Sequence, residues 1–293
     1  MVGAARQTIQ STFPMFELRC TVRGCHETLT RHDDGLRCSS GHHFDRAKAG
    51  YWSLLQPQDR KSLKPGDSDD AVLARQSWLA RGHAAGLVNA LQPWTKLIPD
   101  PVTNRSPRTL DLGCGEGSFG LALFPGEADG YCGIDLSKRA IKLAARRWPQ
   151  ATWVCANADR QLPAADQSVD RVISLFGRRP VSEIKRVLTP TGISIVAVPG
   201  AEDLIELRES VQSGGHHRSR WELVAEEFSA AGLDLLEHRL WQERIELEPD
   251  AIADALAMTY RAVRHSEHAK AESLVTMQVT LAADLMLLGP RAC

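Results

Sequence analysis

Short apolar runs alternate with amphipathic stretches along most of the chain, and this pattern predicts strands and helices in turn. Five apolar runs are the predicted strands: Thr109–Leu112, Tyr131–Asp135, Thr152–Cys155, Val169–Leu175 and 192–198. Helical spacing separates them, most clearly after Ser137, where a hydroxyl can cap a helix that carries Ile141 and Ala144 on one face. Such alternation predicts an α/β fold with a parallel, doubly wound sheet and helices on both faces.

Outside this alternating region the pattern changes twice. Helical spacing covers residues 71–97, and the tail contains a predicted helix near 223–231 followed by strands near 235–241 and 275–281. Residues 17–55 form only short strand-like pieces rich in Cys, His and Gly, with too few apolar residues for a core of their own.

These changes divide the chain into four parts. A polar stretch with Pro and Gly, residues 56–70, is typical of a linker or an ordered loop. We therefore predict an N-terminal tail (1–16), a small module (17–55), a linker with helices that cover the active site (56–104) and a main catalytic domain (105–293).

Composition narrows the class of protein without defining it. The 293 residues are 43% hydrophobic and 24% charged, which is ordinary for a globular chain. No apolar run approaches the length of a membrane span, and the first ten residues lack the apolar core of a secretory signal. We therefore expect a cytoplasmic protein with no membrane partner.

The distribution of charge gives a weak indication of a basic surface. The net charge is −1, so the whole molecule carries no signature of nucleic-acid binding. Residues 1–65 nevertheless hold ten Lys and Arg against six Asp and Glu. Basic residues gather at Arg46, Lys48, Arg60, Lys61 and Lys64. They indicate either a basic surface on the small module or a solvated face of mixed charge.

Three of the seven cysteines crowd into the small module and point to a metal. The spacing is Cys20-x4-Cys25-x12-Cys38-x3-His42. Three thiolates and an imidazole are the ligand set of a closed structural zinc site, which leaves no position open for catalysis. His26 and His43 are alternative fourth ligands, and free reduced cysteines in an ordinary subdomain are the alternative to metal.

A glycine-rich loop follows the first predicted strand of the main domain. In Asp111-x-Gly113-x-Gly115-x-Gly117 the glycines let the backbone turn sharply and approach a ligand. The amides of the following helix then face the anionic part of that ligand. A nicotinamide enzyme would have its third glycine one residue later, so the spacing favours another nucleoside-bearing cofactor.

This loop resembles the first motif of the class I methyltransferases, which bind S-adenosylmethionine. The resemblance continues at the ends of the next two strands. Asp135, followed by Leu136, matches the acid that accepts the ribose hydroxyls in that family. Asn157 and Asp159 match the position of a residue that contacts the adenine. The resemblance thus implies S-adenosylmethionine as the cofactor.

Taken together, the two modules resemble a narrower family, the bacterial 23S rRNA guanine-N1 methyltransferases, which include members linked to macrolide resistance. The matching stretches are Cys25-His26, Cys38-x3-His42-His43-Phe44-Asp45, Ala47-Lys48-x-Gly50-Tyr51, Gly66-Asp67-Ser68, Ala74-Arg75, Gly82-His83 and Met258-Thr259. The chain departs from the family in the wide Cys20–Cys25 spacing and at residues 175–180, where Leu-Phe-Gly-Arg-Arg-Pro replaces an Ala-Pro segment.

The resemblance implies transfer of a methyl group to N1 of a guanine in a 23S rRNA hairpin, with structural zinc in the RNA-recognition module. Arg178 or Arg179 can then stabilise charge on O6 of the base, and Phe176 or Trp52 can stack on it. Each has a plainer alternative, a core aromatic or a surface arginine.

Three further points stay open at this stage. Arg75 and His83 either close over cofactor or substrate or are helix-surface groups. The spacing identifies no general base, and a homodimer is one possible assembly. Two rival functions also remain, a methyltransferase acting on small molecules and a non-catalytic protein that binds rRNA or the ribosome.

Overall fold

The structure is a computed structural model that describes residues 18–57, 59, 66–97, 107–211, 219–259 and 276–291. The predicted N-terminal tail and the basic residues Arg60, Lys61 and Lys64 lie outside the described residues.

Eleven strands and eight helices make up the described part of the chain. In chain order they are β1 (Thr30–His32), β2 (Gly35–Arg37), β3 (His43–Phe44), β4 (Trp52–Ser53), α1 (Asp69–Ala80), α2 (Ala85–Thr95), β5 (Thr109–Leu112), α3 (Ser118–Leu123), β6 (Tyr131–Asp135), α4 (Lys138–Arg147), β7 (Thr152–Cys155), β8 (Val169–Leu175), α5 (Val181–Val187), β9 (Leu188–Pro199), α6 (Ile205–Val211), α7 (Trp221–Ala230), β10 (Leu233–Leu247), α8 (Pro249–Thr259) and β11 (Met277–Pro290).

One eight-stranded sheet, in the order β10-β11-β9-β8-β5-β6-β7-β4, forms the centre of the molecule. The six strands from β9 to β4 run parallel. The five strands predicted between residues 109 and 198 therefore do form a parallel sheet. The tail adds an antiparallel pair, in which β11 joins β9 and β10 joins β11. Both tail strands are longer than the apolar runs that predicted them. β10 and β11 continue to pair with each other beyond the residues at which β11 pairs with β9.

Helices cover both faces of the sheet, as the pattern predicts. On one face, α2, α3 and α4 pack against the sheet in a cluster that includes Leu91, Leu123 and Ile141. On the other face, α5 and α7 contribute Ile184 and Phe228. A third cluster joins α1, α6 and α8 to the extended ends of β10 and β11. The helical spacing predicted for residues 71–97 corresponds to two helices, α1 and α2.

The small module is built on the three-stranded antiparallel sheet β1-β2-β3 and packs directly on the main sheet. Leu18, Cys20 and Leu36 belong to the same hydrophobic cluster as the strands β5 to β8. The backbone N–H of Arg19 also donates to the carbonyl of Pro163 at 3.1 Å. The module then ends in β4, which is itself a strand of the large sheet. The boundary predicted at residue 55 stays a prediction.

The parallel strands bring their carboxyl ends to one edge of the sheet. The glycine-rich loop after β5 and the segments after β6, β7 and β8 therefore lie side by side along that edge. In open α/β sheets ligands bind at this edge, where the strand order reverses. None of the helices in the described ranges has the length and apolar character needed to cross a membrane.

Candidate functional site

The glycine-rich loop adopts a backbone that only glycine accommodates without strain. The φ angles of Gly113, Gly115 and Gly117 are 70°, 59° and 83°. A Cβ at Gly117 would lie 2.7 Å from Cη2 of Trp153. The amides of Gly113 and Cys114 both donate to the carbonyl of Ile134, at 2.8 and 3.1 Å. These two hydrogen bonds hold the loop against β6.

Asp135 connects this loop to the next helix. One of its carboxylate oxygens accepts the N–H of Gly115 at 2.9 Å, and the other accepts the N–H of Ser137 at 2.7 Å. The Ser137 hydroxyl accepts the N–H of Ala140 and caps α4, as predicted. Burial raises the pKa of Asp135, against the two N–H donors. Leu136 packs against the cluster beneath α4.

Asp111 is buried below the loop. It accepts a hydrogen bond from the hydroxyl of Tyr131. Burial raises the pKa of Asp111 to about 7, and the Tyr131 hydroxyl opposes this rise. The Asp111 side chain therefore links β5 to β6 inside the sheet.

After β7, the predicted site residues Asn157 and Asp159 lie together with Asp59, which the sequence analysis missed. The amide nitrogen of Asn157 donates to Asp59 at 3.1 Å, and its oxygen accepts the N–H of Asp159 at 3.0 Å. Asp59 also forms an ion pair with Arg160 at 2.7 Å. Both polar atoms of Asn157 thus have partners within the chain, while the Asp159 carboxylate is the more exposed of the two groups.

The segment after β8 lies against the glycine loop and is strained. Phe176 has a φ of 61°, a left-handed conformation that costs roughly 1–2 kcal/mol for a residue with a side chain. A Cβ at Gly177 would lie 2.7 Å from the carbonyl oxygen of Leu112. Such strain is typical of functional segments that the surrounding structure holds in place.

The two arginines that follow point to different neighbours. The Nε of Arg178 lies 3.4 Å from a carboxylate oxygen of Asp159, so these two predicted site residues meet at the edge. The guanidinium of Arg179 donates to the carbonyl of Gly177 at 3.0 Å and lies in the electrostatic range of Glu227 on α7. The structure therefore gives Arg178 and Arg179 different partners.

Helix α1 covers the loop from outside. A Cβ on Gly115 would lie 3.8 Å from two side-chain atoms of Arg75, and one on Gly66 would lie 3.0 Å from the N of Ser137. Arg75 thus faces the predicted cofactor position. The His83 ring packs against Trp78 of α1 in a tilted arrangement, with ring centroids 4.5 Å apart. Trp52 is buried in the core.

The small module brings its three predicted thiols and one imidazole together. The ligand atoms of Cys20, Cys25, Cys38 and His42 all lie within 4.8 Å of one another. The Nδ1 of His42 is 3.4 Å from the sulfurs of both Cys20 and Cys38, and the sulfurs of Cys25 and Cys38 are 3.9 Å apart. In a tetrahedral zinc site with bonds of about 2.3 Å, two sulfurs lie about 3.8 Å apart. The cluster therefore fits structural zinc.

The two alternative ligands have other partners. The Nδ1 of His26 lies 2.6 Å from the Gln161 amide nitrogen. His43 lies between two carboxylates, 3.8 Å from Asp34 and 3.6 Å from Asp45. Neither belongs to the cluster of ligand atoms found among the described residues.

Two features that shape the site, Asp59 and the Tyr131 hydroxyl, were missed in the sequence analysis. Asp59 lies in a segment with a linker-like composition, and nothing local marks it as a partner of Asn157. The Tyr131 hydroxyl is hidden in an apolar strand. The position of Gly66 was signalled by Ser68, whose hydroxyl accepts the N–H of Ala71 and caps α1.

Comparison with known families agrees with this arrangement. Residues 109–192 match a family described as methyltransferase domain. Residues 18–63 match a zinc-ribbon family described as RlmA, N-terminal. The fold and the site thus define an S-adenosylmethionine-dependent class I methyltransferase with a zinc ribbon.

Full-length relatives define the family. The chain is 32% identical over 252 residues to the 23S rRNA (guanine(748)-N(1))-methyltransferase of Streptomyces fradiae, which covers 82% of this chain and 84% of the relative. It is 30% identical over 210 residues to a putative 23S rRNA (guanine-N(1)-)-methyltransferase of Micromonospora griseorubida, covering 65% of this chain and 68% of the relative. The chain belongs to the 23S rRNA (guanine-N1) methyltransferase family.

Solved structures support the fold alone. The YcgJ protein from Bacillus subtilis superposes with a TM-score of 0.50 at 16% identity, over 70% of this chain and 98% of the other. A putative methyltransferase from Bacillus halodurans gives a TM-score of 0.50 at 17% identity, over 70% and 99%.

The ligand geometry predicts which histidine holds zinc. We expect purified protein to contain about one zinc per chain and His42→Ala to lose most of it, because the imidazole completes the tetrahedron. The matched variant His43→Ala should keep its zinc. Elemental analysis of both dialysed proteins measures this, and equal zinc content in the two variants would contradict the assignment.

Burial of Asp111 predicts a pH-dependent stability. Its folded pKa of about 7 exceeds the usual value of about 4, so ionisation destabilises the folded state as pH rises through this window. Asp111→Asn should therefore be more stable than wild type at pH 8, by on the order of 2–4 kcal/mol, with a smaller difference at pH 5. Urea unfolding of both proteins at both pH values measures this difference. A difference that does not depend on pH would show that Asp111 is not protonated in the fold.

Proposed function

We propose that this protein methylates N1 of a guanine in a hairpin of 23S rRNA. The observation that carries the proposal is that the Streptomyces fradiae relative, whose name states methylation of a 23S rRNA guanine at N1, covers 82% of this chain, which itself matches both a zinc-ribbon family and a methyltransferase-domain family. A protein for small molecules would need only the sheet. The zinc module packed against it supplies the surface that a folded RNA requires.

In this proposal the residues at the carboxyl edge hold S-adenosylmethionine. The glycine loop that contains Gly113, Gly115 and Gly117 contacts its amino-acid part, and Asp135 accepts the ribose hydroxyls. Asp159 lies at the adenine end. Asn157 holds that segment in place through its hydrogen bonds with Asp59 and with the N–H of Asp159. Arg75, placed over Gly115, closes the site from outside. When bound, the cofactor supplies an electrophilic methyl group on a sulfonium.

The residues after β8 are the proposed contacts of the target base. Guanine N1 carries a proton and becomes a good nucleophile only as that proton leaves and charge develops on O6. In the proposed reaction the N1–methyl bond forms, the methyl–sulfur bond breaks and the N1 proton passes to solvent. Arg178 is the group that stabilises charge on O6, because its side chain is 79% exposed at the edge and is held by Asp159.

Phe176 is the proposed stacking partner of the extruded base. Its strained backbone is held by a hydrogen bond from its N–H to the carbonyl of Ala197 at 2.9 Å. The ring is only partly buried, so part of it remains open to a ligand. Trp52, the other predicted stacking residue, is 7% exposed and less suited to this role.

The zinc module is the proposed RNA-recognition surface. The guanidinium of Arg46 lies 5.4 Å from the centre of the Trp52 ring, which orients it. Burial, and then the charge of Arg31, lower the pKa of Arg46. A guanidinium group in the electrostatic range of a second one favours binding of a backbone phosphate. Lys48 adds a further positive charge.

Three finer points belong to the same proposal. A cytoplasmic location follows from an rRNA substrate, and decreased susceptibility to macrolides is the expected phenotype. A homodimer is the proposed assembly, and light scattering of the purified protein tests it directly. The small-molecule rival predicts no salt-dependent binding to an rRNA hairpin, and the non-catalytic rival predicts binding without methyl transfer.

The expected result is transfer of labelled methyl groups to 23S rRNA, at one guanine that loses its methyl group in a deletion strain. Arg178→Gln should lower kcat by roughly 10²-fold with little change in cofactor affinity, because its charge acts mainly in the transition state. Arg146→Gln, an exposed arginine on α4, is the matched control and should match wild type. Tritium incorporation and mass mapping of rRNA fragments measure these outcomes.

Two results would contradict the proposal. If no guanine loses a methyl group on deletion and the purified protein adds none, the rRNA assignment is wrong. If Arg178→Gln retains wild-type kcat, the role of Arg178 at O6 is wrong, whereas the rRNA assignment stands.

A further inference from the structure

A buried carboxylate connects the end of the zinc module to the segment proposed to hold the adenine. The side chain of Asp59 is only 3% exposed. One of its oxygens accepts the backbone N–H of Gln56 at 2.9 Å. The other accepts the side-chain amide of Asn157 at 3.1 Å and lies 2.7 Å from the Nε of Arg160. Asp59 thus fixes the chain after β4 against the chain after β7 through charge-assisted hydrogen bonds.

On the module side, the polar contacts continue to the segment that carries the first cysteine of the zinc cluster. The side-chain amide of Gln56 donates to the Thr21 hydroxyl at 3.1 Å and to the carbonyl of Leu54 at 3.3 Å. The Thr21 hydroxyl donates to the same carbonyl at 2.6 Å. Thr21 directly follows Cys20, whose sulfur belongs to the cluster. The position of Gln56 therefore depends on the folded zinc module.

On the cofactor side, the contacts continue to the arginine proposed to act on the base. The side-chain oxygen of Asn157 accepts the N–H of Asp159 at 3.0 Å. The Asp159 carboxylate in turn lies 3.4 Å from the Nε of Arg178. An uninterrupted series of polar contacts through Asp59 thus runs from the zinc module to the proposed catalytic loop.

Attachment of the module to the sheet does not by itself need this carboxylate. β4 already pairs with β7 without it. Burial of a carboxylate is costly, and an apolar side chain of similar size would fill the same space. What the carboxylate adds is orientation. Because the NH2 group of Asn157 is bound to Asp59, its oxygen is turned toward the N–H of Asp159.

We propose that Asp59 is a positioning residue that makes binding of S-adenosylmethionine and binding of RNA depend on each other. The inference rests on the proposed rRNA substrate. RNA bound to the zinc module restricts the motion of residues 18–57, and Asp59 extends this restriction to the segment after β7. The adenine then binds with a smaller loss of entropy. By linkage, the cofactor raises the affinity for RNA by the same factor.

The test measures the affinity of the zinc-loaded protein for S-adenosylhomocysteine, which keeps the adenosine of the cofactor but has no methyl group to transfer. Calorimetry is performed without RNA and with a saturating 23S rRNA hairpin. We expect RNA to tighten this binding at least about fivefold in wild type and less than about twofold in Asp59→Asn. Without RNA, Asp59→Asn should bind about three- to tenfold more weakly, because an amide cannot accept from all three donors.

Steady-state kinetics separates positioning from chemistry. In Asp59→Asn the KM for S-adenosylmethionine should rise by about the same three- to tenfold, with kcat at saturating cofactor and RNA within about twofold of wild type. Gln56→Ala removes only the side-chain contact to the module. It should lose most of the response to RNA, with affinity in the absence of RNA within about twofold of wild type.

Asp170→Asn is the matched control. Asp170 is also a buried carboxylate, which accepts the backbone N–H of Arg108 at 2.8 Å and lies 3.3 Å from its guanidinium. It belongs to the amino end of β8, at the edge of the sheet opposite the cofactor. Asp170→Asn should lose stability in urea as Asp59→Asn does, yet keep the wild-type KM and the wild-type response to RNA.

Four outcomes would overturn the proposal. They are a wild-type response to RNA in Asp59→Asn, an equal loss of that response in Asp170→Asn, a lower kcat at unchanged KM in Asp59→Asn, and a wild-type protein that binds the hairpin without any change in cofactor affinity. If Asp59→Asn does not fold, an unchanged response in Gln56→Ala overturns it instead. If wild type neither binds the hairpin nor methylates rRNA, the proposed function fails, and this inference fails with it.

Discussion

The carboxylate of Asp135 is the constraint on which the cofactor edge depends. It accepts one N–H from the glycine loop and another from the start of α4, so a single side chain at the end of β6 fixes the element before it and the element after it. The loop conformation needs positive φ at three glycines, which adopt this backbone without the strain that a Cβ would bring.

The zinc module depends on the sheet as much as the sheet's function depends on the module. Residues 18–57 are too few for an independent core, so they combine a Cys3His cluster with burial of Leu18 and Leu36 against the main sheet. Because β4 pairs with β7, the zinc module is connected to a strand whose carboxyl end lies at the cofactor edge. Zinc here stabilises a surface and takes no part in the chemistry.

Much of the arrangement was predictable from the sequence, because local patterns carry it. Four strands have the predicted bounds, Ser137 caps α4, and the Cys3His spacing gathers four ligands. What the sequence did not reveal depends on contacts between distant residues. Examples are the pairing of Asp59 with Asn157, the placement of Arg75 over Gly115, and the different partners of Arg178 and Arg179. No local spacing encodes such pairs, because tertiary packing creates them.

The most direct test of the account is the affinity of Asp135→Asn for S-adenosylmethionine, measured by calorimetry beside wild type. An amide in place of the carboxylate turns an NH2 group toward one of the two backbone donors, so the loop should lose its support and the ribose its acceptor. We expect binding to weaken by at least about tenfold while zinc content stays the same. Wild-type affinity in Asp135→Asn would contradict the account.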